Sequence, residues 1–261
     1  MKLALYQLDA FTGRLFGGNP AAVVLLEKWL PDAVLQAIAA ENNLAETAFA
    51  IPKAEVIPLR WFTPTVEVDL CGHATLATAD VLFRYRFQQL DRLRFSTRSG
   101  ELAVARSGGL LELDFPSRPG TPVAVTDALV AALRARPREA YLARDLLAIF
   151  DTEQQVRDLR PNFHAFAALD AFAVIASAPG NDVDFVSRFF APGAGIPEDP
   201  VTGSAHCTLT PYWADRLGRK RLSAKQVSAR GGELRCELRG DRVGIAGAVV
   251  EYLCGEIAVD A

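Results

Sequence analysis

Cys71-Gly72-His73-Ala74-Thr75 returns in altered form, 131 residues further along the chain, as Thr202-Gly203-Ser204-Ala205-His206. A second matching pair accompanies it, because residues 96–102 and 228–234 are identical at five of seven positions, at an offset of 132. The two halves of the chain are therefore built on one plan. If both repeated stretches begin helices and face one another, their free N–H groups make a site for an anion.

The residues around each repeated stretch predict a buried helix wrapped by strands. Residues 72–86 contain no helix breaker and are mostly apolar, and residues 204–217 are predicted as the equivalent second helix. Short apolar runs on both sides predict strands. Residues 191–200 are rich in Pro and Gly and predict a long loop. A Pro-rich linker near residues 116–122 divides the predicted lobes, 1–118 and 119–261.

The composition of the 261 residues predicts a globular protein and excludes several classes of partner. Half of the residues are hydrophobic, the net charge is -3, and the arginines form no basic run, so no nucleic acid is expected. Without a signal-peptide core or an apolar run of about 20 residues, we expect a cytoplasmic protein that binds no membrane. The four cysteines and three histidines lack ligand spacing, which predicts neither disulfide nor metal.

Four ordered motifs run along the chain: Asp9-Ala10-Phe11 with Gly18-Asn19-Pro20-Ala21, Asn43-Leu44-Ala45-Glu46-Thr47, Cys71-Gly72-His73-Ala74-Thr75, and Glu198-Asp199-Pro200-Val201-Thr202-Gly203-Ser204-Ala205. They resemble the motifs of the PhzF family, the phenazine-biosynthesis isomerase and its relatives. The resemblance runs nearly end to end. It implies the diaminopimelate-epimerase-like α+β fold, in which two pseudo-symmetric lobes each wrap a curled, mostly antiparallel sheet around a central helix, with the site in the cleft between them.

The resemblance also implies the roles of individual residues and the kind of reaction. Glu46 takes the position of the family's proton shuttle, and His73, Asp199 and Ser204 take positions that line the same pocket. A cofactor-independent isomerase is implied, with no metal, nucleotide or flavin, a small carboxylate-bearing metabolite as substrate, and a homodimer as the assembly.

The residue types at these positions fit acid/base chemistry, although each also has a plainer explanation. Glu46 follows Leu44 and Ala45 in an apolar strand, where a carboxylate loses hydration and holds a proton more readily; the alternative is a strand-end Glu that points to solvent. His73 at a helix start is expected as a neutral imidazole, or as a first-turn residue without a chemical role. Asp199 either closes a turn or accepts a hydrogen bond from His73 or substrate.

Small residues at the two helix starts predict the binding of a carboxylate. Their backbone N–H groups can approach a ligand closely, and the predicted substrate-binding residues are Gly72, Ala74, Thr202, Gly203 and Ser204. Ser204 is also a natural helix cap. Asn19 is expected in a turn at the edge of the pocket, and His164 and His206 are expected to be structural.

Two other functions remain open at this stage. An amino-acid epimerase or racemase of this fold uses one cysteine at each helix start, but here Cys71 faces a threonine, Thr202, at the second start, while Cys207 lies further along. All four cysteines are otherwise expected to be small buried hydrophobes. The remaining possibility is a protein that binds a metabolite without converting it.

Overall fold

A computed structural model describes residues 1–259, with five α-helices and eighteen strands among them. The helices are α1 Asp32–Asn42, α2 Gly72–Tyr85, α3 Asp127–Leu133, α4 Glu153–Asp158 and α5 His206–Leu217. Short 3-10 helices lie at Phe163–Ala168 and Pro192–Ala194. The strands are β1 Lys2–Ala10, β2 Asn19–Leu25, β3 Glu46–Ala50, β4 Val56–Phe62, β5 Glu67–Val68, β6 Arg92–Thr97, β7 Gly100–Ser107, β8 Leu110–Pro116, β9 Thr121–Val123, β10 Glu139–Leu142, β11 Leu146–Ile149, β12 Val174–Pro179, β13 Phe185–Ala191, β14 Ile196–Asp199, β15 Arg221–Gln226, β16 Gly232–Arg239, β17 Arg242–Gly247 and β18 Val249–Ala258.

The chain forms two compact units that are not simply its two halves. The first comprises Met1–Asp114 and the C-terminal segment from Ala246, and the second comprises Phe115–Ile245. The predicted lobes, 1–118 and 119–261, differ from these units because they leave the C-terminal segment in the second lobe. The physical reason is the antiparallel pairing of β18 with β1 along nearly the whole of both strands.

The first unit packs a mostly antiparallel sheet against α2. Strand β1 pairs antiparallel with β2, β2 runs parallel to β3, and β3 pairs antiparallel with β4. Strand β4 then runs parallel to β6, which continues into the antiparallel strands β7 and β8. Eleven of the fourteen residues of α2 are buried, and the helix packs on β1, β2 and β3. The predicted buried central helix is therefore present.

The second unit repeats this plan with α5. Strands β9, β10 and β11 pair antiparallel, β11 runs parallel to β12, and β12 pairs antiparallel with β13. Strand β15 runs parallel to β13 and pairs antiparallel with β16, and α5 packs on these last two strands. The repeated segments 96–102 and 228–234 both lead into the second strand of the hairpin that follows the central helix. The predicted α+β class is confirmed.

Two local predictions in the second unit are corrected by the structure. Residues 191–200 are not one long loop, because β14 pairs with β13 and a 3-10 helix precedes it. The second central helix begins at His206 and not at residue 204, since Gly203 and Ser204 form a tight turn whose carbonyl groups accept from the N–H groups of His206 and Cys207.

Across residues 1–259, no helix combines the length and the apolar character needed to cross a membrane.

Candidate active site

Glu46 is a buried carboxylate at the start of β3. It lies opposite Ala21 of β2, and every residue of β3 is buried. The side chain is only slightly exposed, with 8% of the residue surface accessible. The alternative of a strand-end Glu pointing to solvent is therefore excluded for this residue.

The partner of Glu46 is His73, the second residue of α2. Atom Nε2 of His73 lies 3.0 Å from Oε2 of Glu46, and both side chains are almost fully buried. Although the two atoms are close, no donor within residues 1–259 makes a hydrogen bond of good geometry to Oε2 of Glu46. The 3.0 Å separation still places the carboxylate and the ring in direct electrostatic contact.

Two further side chains surround the imidazole of His73. Nδ2 of Asn19 lies 3.1 Å from Nδ1 of His73, and Asn19 is completely buried. The sulfur of Cys71 lies 3.5 Å from the same Nδ1 and 4.0 Å from Nε2. Asn19 was expected only in an edge turn. The sequence signal for its position is the Gly17-Gly18 pair, which allows a sharp turn directly before β2.

The charge on Glu46 changes the expected protonation of His73. Burial by itself lowers the pKa of His73, but the neighbouring Cys71 sulfur and Glu46 carboxylate raise it well above 6.5. Burial, together with the carboxylate of Glu46, also raises the pKa of the Cys71 thiol to about 11. The thiol is therefore neutral near pH 7, and Glu46 is the charge that acts on the ring. The prediction of a neutral imidazole at the helix start omitted this carboxylate.

Glu46, Cys71 and His73 offer donor atoms within 4.8 Å of one another, a spacing that could hold an ion. A thiol and an imidazole bind a metal only after they lose their protons. Because the pKa values of both groups are raised, protons compete strongly for this place. Binding of a metal here would therefore have to displace the protons of Cys71 and His73.

In the second unit, Asp199 is fixed by Thr202 and Gln226. The hydroxyl of Thr202 donates to Oδ2 of Asp199 at 2.5 Å, and Asp199 is 9% exposed. Gln226 donates through Nε2 to the carbonyl of Asp199 at 2.7 Å and accepts from the N–H of Thr202 at 2.9 Å. Gln226 was missed from the sequence, since nothing nearby marks the last residue of β15 as the support of a distant turn.

The other predicted residues of the second unit have mixed outcomes. His206 is fully buried and its Nδ1 donates to the carbonyl of Thr202 at 2.8 Å, which fits a structural role. Burial lowers the pKa of His206 to about 4, so the ring is neutral. The prediction that Ser204 caps α5 is wrong, because the cap position is Ala205 and no side chain caps the helix. Cys254, which belongs to the first unit, is exposed, so the expectation of four buried cysteines is wrong for this one.

A family model described as phenazine biosynthesis-like protein, PhzC-PhzF, matches residues 8–254. The chain belongs to this family. The four motifs that carried the resemblance, including those of Glu46, His73 and Asp199, lie within the matched residues.

Known proteins are similar to this chain over almost its whole length. An uncharacterized isomerase of Pseudomonas aeruginosa is 51% identical over 258 residues, which cover 98% of this chain and 99% of the relative. The crystal structure of a PhzF-family phenazine biosynthesis protein from Enterococcus faecalis has a TM-score of 0.97 and 49% identity, and covers 99% of this chain and 100% of its own. A hydroxyproline epimerase from Agrobacterium vitis, at a TM-score of 0.62 and 11% identity over 100% and 93% of the two chains, shares the fold.

Proposed function

We propose that this PhzC-PhzF family protein is a cofactor-independent isomerase that moves a proton between two carbons of a small carboxylate-bearing metabolite. The relatives that are named isomerases support the reaction class. The observation that carries the proposal is the buried carboxylate of Glu46, 3.0 Å from Nε2 of His73. A carboxylate held out of water beside a titratable ring suits the removal and return of a proton.

The reaction balances within the substrate and Glu46. The carboxylate takes a proton from one carbon, the electrons of the broken C–H bond enter an enolate-like system, and the resulting carboxylic acid returns the proton to a second carbon. His73 holds the carboxylate in place. The developing negative charge needs donors, and the first N–H groups of α2, at Gly72 and His73, have no carbonyl within the helix to bond. The N–H of Ala74 faces the sulfur of Cys71 instead.

We assign Asp199, Thr202, Gly203 and Ser204 to substrate binding on the strength of their motif. The hydrogen bonds from Thr202 and Gln226 leave Asp199 in one defined position. Such pre-positioned polar groups contribute to orientation, which is a large part of rate enhancement. Substitution of these residues is expected to weaken substrate binding more than proton transfer. Their role can therefore be measured separately from that of Glu46.

The test is hydrogen exchange at carbon in D₂O, followed by mass spectrometry or proton NMR of candidate carboxylates. Wild type is expected to exchange carbon-bound hydrogen of a true substrate, and Glu46→Gln is expected to lose roughly 10²-fold or more of that rate, because the amide cannot take up the proton. Glu41→Gln, which changes an exposed glutamate at the end of α1, is the matched control and keeps the rate. Equal exchange by Glu46→Gln and wild type would refute the shuttle.

A second candidate, an epimerase that inverts one stereocentre, is favoured by one observation, the position of Cys71 beside His73. Against it stands the raised pKa of the thiol, which keeps the nucleophilic thiolate rare near pH 7. The two reactions separate in paired variants. If Cys71→Ser abolishes turnover and Glu46→Gln does not, and if the product is the mirror configuration at one carbon, the epimerase is correct.

A further inference from the structure

Asn19 contacts the edge of the His73 ring that lies away from Glu46. Its Nδ2 is 3.1 Å from Nδ1 of the ring, whereas Glu46 lies 3.0 Å from Nε2. The imidazole is thus held between an amide on one nitrogen and a carboxylate on the other. Because Asn19 is the first residue of β2 and is fully buried, its side chain has little freedom to move.

The direction of the Asn19 contact decides which nitrogen of a neutral His73 carries the proton. An amide N–H can donate only to a ring nitrogen with a free lone pair. Donation from Nδ2 therefore requires Nδ1 to be unprotonated, and the ring proton of the neutral form must be on Nε2, the nitrogen that faces Glu46. The hydrogen bond at one nitrogen fixes the state of the other.

We propose that Asn19 is a positioning residue that selects the Nε2–H tautomer of His73; its consequence for turnover rests on the proposed function of Glu46. With the proton on Nε2, the ring presents an N–H toward Oε2 of Glu46, 3.0 Å away, and so stabilises the carboxylate as the acceptor of the substrate's proton. In the other tautomer, a lone pair would face the carboxylate and repel it. Asn19 thereby prepares Glu46 to act as the base.

Two opposing effects act on the charge of the ring. The titratable groups of the first unit that contact His73 are Glu46, from β3, and Cys71, directly before α2. Glu46 favours the imidazolium. Asn19 opposes it, because a proton added at Nδ1 would break the hydrogen bond from Nδ2. Asn19 therefore makes it easier for the ring to return to its neutral, donating state than it would be beside Glu46 alone.

The direct test is ¹⁵N NMR of the histidine rings in the whole protein without substrate. The chain has three histidines, and the signal of His73 is the one lost in His73→Gln. As the pH is raised until this ring is neutral, wild type is expected to show the proton on Nε2. A wild-type ring that carries its proton on Nδ1 would overturn the proposal, and this measurement needs no folded variant of Asn19.

Asn19→Asp is the sharpest variant, because it keeps the shape and replaces the donor by an acceptor. A proton is then expected to stay on Nδ1, and the titration of His73 is expected to move to higher pH. Asn42→Asp is the matched control, since Asn42 donates instead to the hydroxyl of Thr47 at 3.1 Å. If both variants leave the tautomer and the titration of His73 as in wild type, Asn19 does not select the tautomer.

Kinetics then separate positioning from simple stability. In Asn19→Asp, kcat is expected to fall by roughly 10²-fold with little change in KM, and the pH profile should shift with the NMR titration. The ring measurements stand without any assay, so they can succeed even if Glu46→Gln retains carbon exchange. In that case the tautomer assignment holds and the proposed function fails.

Discussion

The imidazole of His73 and the carboxylate of Glu46 form a buried pair, with Nε2 and Oε2 3.0 Å apart, although one belongs to α2 and the other to β3. The packing of α2 against the sheet therefore depends on the protonation states of His73 and Glu46. Because both side chains are largely out of water, removing the charge of one leaves the other poorly compensated. Substitutions in this pair are therefore expected to change the stability of the protein as well as its activity.

His73 is expected to make the folded protein less stable as the pH rises. Its pKa is raised in the folded state, so its contribution is fully present below the unfolded value of about 6.5 and is lost as the pH passes through the folded value. Urea denaturation between about pH 6 and about pH 9 should show this fall in wild type and a smaller fall in His73→Gln. His164→Gln, which changes an exposed ring, should keep the wild-type slope. Parallel curves for wild type and His73→Gln would contradict the assignment.

His206 should have the opposite effect, at lower pH. Its folded pKa is about 4, below the unfolded value of about 6.5, so the unfolded chain takes up the proton first and stability falls as the pH falls between these values. The full loss is roughly 3 kcal/mol. Other carboxylates titrate in this range, so the quantity to measure is the difference between wild type and His206→Gln. That difference should shrink toward acid, and a constant difference would show that the ring is not buried as a neutral group.

The order of elements could be predicted from the sequence because its signals are local. The breaker-free run at residues 72–86 predicted α2 to within one residue at its end, and the repeat at residues 96–102 and 228–234 predicted equivalent hairpins. The place of β18 could not be predicted, because periodicity identifies a strand but carries no information on its partner. β1 lies at the opposite end of the chain.

The candidate site was only partly predictable for a similar reason. Motifs indicated Glu46 and His73, but not that they contact, and the expected charge state of His73 followed from the helix dipole alone. A carboxylate at 3.0 Å outweighs that dipole, whose effect is typically below about 1 kcal/mol. Gln226 and Asn19 were missed or given little weight, because an amide has no distinctive pattern until its partner in another element is known.

Gly18→Ala is expected to disturb the site through Asn19. Gly18 has a φ of +61°, and an added Cβ would lie 2.1 Å from the carbonyl oxygen of Ala10 and 2.7 Å from a methyl carbon of Thr12. The turn must therefore move, at a cost above about 1 kcal/mol, and the following residue moves with it. The measurements are the unfolding free energy and the ¹⁵N titration of His73. Gly13→Ala is the control, because its Cβ meets no atom within 4 Å; similar stability of the two variants would refute the clash.

The stability of β14, the strand that ends at Asp199, is expected to depend strongly on the charge of Arg188. Its Nε and Nη2 donate to both carboxylate oxygens of Glu198 at 2.7 Å and 2.8 Å, and Nη1 donates to the carbonyl of Leu159 at 2.9 Å. Arg188→Met breaks a mostly buried pair and leaves these acceptors without their donor, so a loss of about 3 kcal/mol in unfolding free energy is expected in urea denaturation. Arg136→Met, whose partner Asp127 is exposed, should cost no more than about 1 kcal/mol. Equal losses in the two variants would show that β14 is held by its strand pairing alone.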